Sequence, residues 1–152
     1  MSDIDQTLYV NASREAVFKA LTSATELSRW FPSKVESDPR PGGKLKLIWE
    51  FTAAEENGSQ EVKYLEVIPG EKVSYEWKAG PTAVPTIVTF ELSGPPHQTT
   101  VRLVHSGWPN GAEGEQLRAG HVPQWSFFLG NLKSFLESGI DERAAKLKQK
   151  TF

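Results

Sequence analysis

The sequence contains no cysteine. That excludes disulfides, thiol nucleophiles and thiolate metal sites. Charge of one sign is also scarce. The 17 Lys+Arg and 19 Asp+Glu leave a formal net charge of −2, with too little positive excess to coat a nucleic-acid backbone. Apolar runs reach only three residues, as in Leu47-Ile48-Trp49 and Phe127-Phe128-Leu129, whereas a membrane span needs about 20. The opening Met1-Ser-Asp-Ile-Asp-Gln carries acids where a secretion signal carries Lys or Arg, and no apolar stretch follows. No repeat or low-complexity segment is present. The expectation is a cytoplasmic protein with no nucleic-acid partner and no membrane span. At 152 residues it should be one domain over 1–152, able to bury a core without staples.

Aromatics are plentiful: five Trp, three Tyr and eight Phe. Their spacing tracks the predicted elements. Ile4, Leu8 and Val10 mark a first strand ending over Thr7–Val10. Ser13 offers an N-cap, Glu15 suits the helix dipole, and Val17, Ala20 and Leu21 fall on one helical face. Ser23-Ala-Thr-Glu26 reads as a capping box. It would open a second short helix with Leu27, Trp30 and Phe31 on its apolar face, stopped by Pro32.

From Lys34 to Ser106 the period becomes two. Leu45, Leu47, Trp49 and Phe51 alternate with polar residues, and Asn57-Gly58 then signals a turn. A strand follows over Gln60–Ile68, and Pro69-Gly70 turns the chain again. Val73, Tyr75 and Trp77 mark the next strand, with a longer loop at 80–85. Val88, Phe90 and Leu92, the turn Gly94-Pro95-Pro96, and Val101, Leu103 and His105 complete an antiparallel meander. Helical spacing returns at Val122, Trp125, Phe128, Leu129, Leu132, Phe135 and Leu136, with Gly139 as the stop. Pro123 either opens this helix or kinks one that begins near Glu113. The order is strand, two short helices, about six antiparallel strands and one long helix. A one-sided sheet needs a partner layer, so the sheet should curl around that helix. Arg143, Lys146, Lys148 and Lys150, balanced by Asp141 and Glu142, read as a solvated face, and residues 144–152 should fray.

Several motifs carry a resemblance across nearly the whole chain. They are Val10-Asn-Ala-Ser-Arg-Glu-Ala-Val-Phe18 with Leu27-Ser-Arg-Trp-Phe31, and Pro41-Gly-Gly43 before a strand. Tyr64-Leu-Glu-Val-Ile-Pro69 precedes Val73-Ser-Tyr-Glu-Trp77. Gly107-Trp108 is followed by His121-Val-Pro-Gln-Trp125 and Leu132-Lys-Ser-Phe-Leu-Glu137. In this order the sequence resembles the START-like, birch-pollen-allergen-like (SRPBCC) superfamily, and within it the domain of the heat-shock-protein-90 ATPase activator. The resemblance implies an α+β helix-grip fold, with six to seven curved antiparallel strands around a C-terminal helix. Members of that superfamily include lipid carriers, hormone receptors and cyclases. ATPase stimulation by the eukaryotic co-chaperone draws on a separate Asn- and Trp-rich domain, and no Asn-Trp dipeptide occurs here.

In that superfamily the ligand lies between sheet and helix. The candidates there are Trp30, Phe31, Trp49, Tyr64, Tyr75, Trp77, Phe90, His105, Trp108, His121, Trp125, Phe128 and Leu129. An aromatic wall with a few polar anchors suits a small apolar or amphipathic molecule. The same residues would equally make a filled core. A dry void as large as a small pocket, ~300 Å³, would cost on the order of 7 kcal/mol against a total stability of ~5–15 kcal/mol. The space should therefore hold ligand or water, or be filled by side chains.

Two other functions compete. His105 and His121 could form an acid–base pair in a cyclase- or hydratase-like enzyme, although a satisfied or solvated His is the commoner situation, and His97 sits in a Pro-flanked turn. A chaperone-linked, stress-related interaction module would need an exposed contact. Trp108 in its loop would supply one if exposed, or else fold as a lid over the cavity. There is no Gly-x-Ser-x-Gly elbow, no HExxH and no phosphate-loop spacing, Pro41-Gly42-Gly43-Lys44 reading as a turn. No metal or cofactor is expected, and the chain could be a monomer or a homodimer.

Overall fold

The computed structural model describes residues 3–50 and 58–143. The chain begins with β1 (Ile4–Val10), α1 (Arg14–Thr22), α2 (Ala24–Leu27), β2 (Lys34–Ser37) and β3 (Lys44–Trp49). It continues through β4 (Gly58–Ile68), β5 (Lys72–Ala79), β6 (Val84–Ser93) and β7 (Thr99–Ser106) to α3 (Ala112–Ser138). The strands form one antiparallel sheet in the order β1-β7-β6-β5-β4-β3-β2. This is the expected α+β helix-grip architecture, with a long C-terminal helix and two short helices after the first strand.

Alternation makes one face of this sheet the core. Leu45, Leu47 and Trp49 on β3, Val73, Tyr75 and Trp77 on β5, Val88, Phe90 and Leu92 on β6, and Val101, Leu103 and His105 on β7 are all buried. On β4 the alternation breaks. Tyr64 pairs with Tyr75 but Glu66 pairs with Ser74, so Leu65 is an extra residue, and it stands exposed. Such a bulge bends its strand and sharpens the local twist.

Local chemistry sets the helix ends. The Ser13 hydroxyl accepts from the Ala16 N–H at 3.1 Å, while Val17, Ala20 and Leu21 are buried. The capping box does not form. The Ser23 side chain makes no cap bond, because its backbone closes α1, the Ser23 N–H donating to the Lys19 carbonyl. Helix α2 ends at Leu27, and Trp30 and Phe31 follow in a turn whose N–H groups both donate to the Leu27 carbonyl. Helix α3 continues from Ala112 to Ser138 with Pro123 inside it, which supports the reading of a helix that begins near Glu113. It ends at Gly139 (φ 70°), whose N–H donates to the Phe135 carbonyl while Ile140 N–H reaches Ser134, a Schellman-type close.

Helix α3 lies across the open side of the sheet. Trp125, Leu129 and Leu132 point into the core. The Lys133 ammonium donates to the Tyr9 carbonyl, and the Asn11 N–H donates to the Glu137 carboxylate, which tie the helix to β1. The start of α3 needs a glycine. A Cβ on Gly114 would lie 1.7 Å from the Pro109 carbonyl oxygen. No described helix is long and apolar enough to cross a membrane. The sequence readings at Phe51, at Asn57 and over 144–152 lie outside the described residues.

Candidate functional site

The thirteen candidates meet in one continuous cluster. Phe31 is its hub, stacking on Trp30, Trp77 and Trp125 and meeting Trp49 and Phe128 edge-on, with centroids 5.0 to 6.2 Å away. Trp77 links Trp49, Tyr75, His105, His121 and Trp125. Phe90 joins through Tyr75 and Trp125, and Tyr64 through Tyr75. Leu129 is buried beside them. The rings themselves fill much of the space between sheet and helix. Exposure rises from 0% at Trp30 and His105 to 7% at Trp77 and 8% at Trp49, with His121 and Phe128 half-buried. The cluster thus has a sealed interior and a rim that approaches solvent.

Both cluster histidines are wired into the packing. Trp125 Nε1–H donates to His105 Nδ1 at 3.0 Å, so the His105 proton sits on Nε2 and faces Thr86 Oγ1 at 2.7 Å. The Thr86 hydroxyl in turn donates to the Trp77 carbonyl. Burial, reinforced by the neighbouring His121, pushes the His105 pKa down to about 3. His121 Nδ1 faces the Leu117 carbonyl at 2.8 Å, and its Nε2 accepts from Trp77 Nε1–H at 3.3 Å. Burial lowers its pKa too. Both rings are neutral with both nitrogens engaged. His97 is exposed in its turn.

Trp108 does not form an exposed contact. It is 6% exposed, its Nε1–H donates to the His105 carbonyl at 2.8 Å, and its ring lies 4.3 Å from the His105 ring. The exposed-contact reading therefore fails, and the ring packs against the cluster. Tyr64 works at the other end of the cluster. Its hydroxyl donates to Ser37 Oγ at 2.7 Å, and Ser37 donates to the Thr22 carbonyl at 2.6 Å. Desolvation pushes the Tyr64 pKa up to about 12.

One donor stands apart. Four of the five indole N–H groups have partners: Trp30 on the Ala20 carbonyl, Trp77 on His121, Trp108 on the His105 carbonyl and Trp125 on His105. Trp49 Nε1–H, at the rim, is buried and has none among the described residues.

Arg143 corrects the sequence reading outright. Read as part of a solvated face, it is 2% exposed. Its five N–H bonds go to the Ser28, Phe31 and Pro32 carbonyls and to both oxygens of Asp141. Buried Asn131 on α3 donates to the Trp30 carbonyl and to Asp141. Donors from beyond the α2 turn thus cap the carbonyls of the segment that carries Trp30 and Phe31. Charge density near the chain's basic tail gave no hint of this. An open groove of about 760 Å³ also escaped the sequence reading. It lies between α1 and the turns at 69–71 and 94–96, lined by Phe18, Arg14, Lys19, Glu71, Pro69 and Pro96 among others. None of the thirteen candidates lines it. Its charges are mixed, and it holds no orphaned buried polar atom, so the aromatic rim is the stronger site.

Residues 11–137 match the family model described as Activator of Hsp90 ATPase homolog 1-like protein. No curated protein sequence matches the chain. Among solved structures, the Aha1 dimer from Colwellia psychrerythraea is 27% identical, with a TM-score of 0.73, covering 91% of this chain and 98% of that one. A protein from Mesorhizobium loti is 22% identical with a TM-score of 0.75, covering 90% and 97%. An HSP90 activator from Plasmodium falciparum is 22% identical with a TM-score of 0.70, covering 90% and 96%. The last two likenesses are of fold.

Proposed function

The chain belongs to the Activator of Hsp90 ATPase homolog 1-like family, and on that footing we propose that it binds a small apolar or amphipathic molecule, without catalysis, at the rim of the aromatic cluster. The carrying observation is the orphaned Trp49 Nε1–H. A buried unsatisfied donor costs about 1–3 kcal/mol, and a bound acceptor would recover that. The rings of Phe31, Trp49, Trp77 and Phe128 would supply apolar area, and His121 a polar border. Both histidines have their nitrogens committed, which supports binding over acid–base chemistry. A cytoplasmic location belongs to the same reading. Native mass spectrometry of the purified protein tests it. A retained mass that disappears on denaturation is the expected result. A bare chain whose tryptophan emission no apolar probe shifts would end the proposal.

Family membership favours a second reading, a chaperone-linked and stress-related module. It expects this chain to raise the ATPase rate of a heat-shock-protein-90 chaperone, and an unchanged rate at saturating protein would remove it. The Colwellia relative is a dimer. A homodimer here would appear as a doubled mass in sedimentation, and a monomer at high concentration would exclude it.

A further inference from the structure

We infer that the ligand of the aromatic rim is an uncharged molecule presenting a carbonyl-type acceptor (a ketone, ester, amide or quinone oxygen) to Trp49 Nε1–H, and that carboxylates and ammonium groups are rejected there. The inference rests on the binding reading above and specifies its chemistry.

The argument is an inventory of what the rim can offer. Trp49 is 8% exposed, and its indole N–H lacks a partner. The neighbouring indole and imidazole nitrogens are spent. Trp77 Nε1–H is on His121, and His121 Nδ1 faces the Leu117 carbonyl. Trp125 and Thr86 take both nitrogens of His105. Trp49 Nε1–H is therefore the one buried side-chain donor left without a partner among the described residues. A ligand meets no countercharge among the ring-bearing residues. Arg143 is the only buried charged side chain among the described residues, and its N–H groups are spent on the Ser28, Phe31 and Pro32 carbonyls and on Asp141. Neither imidazole can take up a proton to serve an anion without losing an existing hydrogen bond. Removing a full charge from water into such surroundings costs far more than one neutral N–H returns. A neutral acceptor gives up only modest hydration and satisfies the donor.

The test compares three probes of one shape: naphthyl methyl ketone, ethylnaphthalene and naphthoate, titrated at neutral pH by ligand-observed NMR. The ketone should bind roughly two- to twelvefold tighter than ethylnaphthalene, the range of one net hydrogen bond. Naphthoate should bind more weakly than either. Trp49→Phe should erase the ketone's advantage over ethylnaphthalene, while both probes lose affinity with the smaller ring. A second readout needs no variant. The Trp49 indole proton should move downfield with the ketone and not with ethylnaphthalene. Naphthoate binding as tightly as the ketone, or an indole proton indifferent to the ketone, would overturn the assignment of ligand class while leaving apolar binding standing. Failure of all three probes would overturn the binding reading itself and the class with it.

Discussion

Trp125 Nε1–H donates to His105 Nδ1 at 3.0 Å across the interface between α3 and β7. This one bond fixes the tautomer of a fully buried imidazole and orients its other nitrogen toward Thr86. It also makes the fold sensitive to mild acid. In the native state His105 stays neutral down to about 3, against an ordinary value of 6.5.

The unfolded chain therefore takes up a proton near pH 6.5 that the native protein refuses. The stabilisation from neutral His105 is complete above pH 6.5 and declines as pH falls toward 3. Between pH 7.5 and 5.0 the loss should be about 2 kcal/mol from this group, and His121, also lowered by burial, adds in the same direction. Urea unfolding at both pH values measures it. His105→Gln should show a shallower pH dependence. Equal wild-type stability at the two pH values would contradict the burial argument.

Arg143 should behave as a buried cap rather than a surface charge. Arg143→Met leaves the Ser28, Phe31 and Pro32 carbonyls without their guanidinium donors and Asp141 without its countercharge, so it should cost about 3 kcal/mol or more. Arg143→Lys should recover less than half, because an ammonium cannot reproduce the guanidinium fork. A lysine variant that unfolds at the wild-type denaturant midpoint would refute this.

The α3 glycines should separate by position. A Cβ on Gly114 would collide with the Pro109 carbonyl, whereas Gly120 and Gly130 have nothing within 4 Å. Gly114→Ala should destabilise by roughly 2 kcal/mol or more. Gly120→Ala and Gly130→Ala should each stabilise by about 0.5–1 kcal/mol. Thermal melts of the three variants decide the matter, and a stabilised Gly114→Ala protein would be the contrary result.

The chain from Tyr64 through Ser37 to the Thr22 carbonyl should act as a unit. Ser37→Ala should cost about 1–3 kcal/mol, since it strands a buried hydroxyl and leaves a carbonyl unpaired. Adding Tyr64→Phe should cost less than the sum of the single changes, with a coupling of about 1 kcal/mol. Strict additivity would show that the hydroxyls do not communicate.

The fold was legible because a sheet with one buried face writes its parity into the sequence. Leu45-Lys-Leu-Ile-Trp49 and Val73-Ser-Tyr-Glu-Trp77 state which residues face the core. Where parity fails, so does the reading. Leu65 carries no mark of its extra place, although the unbroken Tyr64-Leu-Glu-Val-Ile68 is the kind of stretch in which a bulge hides. At Ser23 a local pattern lost to a competing use of the same residue. Among the site residues, the rings were legible as types at alternating positions. Their hydrogen bonds were not, because Thr86, Asn131 and Arg143 acquire their roles from elements far away in sequence. The orphaned indole of Trp49 could be recognised only once the other four were seen to be partnered.

The Arg143 cap also bears on how the protein is made. The carbonyls it receives belong to residues 111 to 115 positions earlier in the chain. At ~5–20 residues per second, the Phe31 turn leaves the ribosome on the order of ten seconds before its cap exists. For that interval the hub of the aromatic cluster has no fixed place. The nascent chain then displays a sticky, half-assembled surface of the sort that chaperones attend, and the finished cluster closes only when Arg143 arrives.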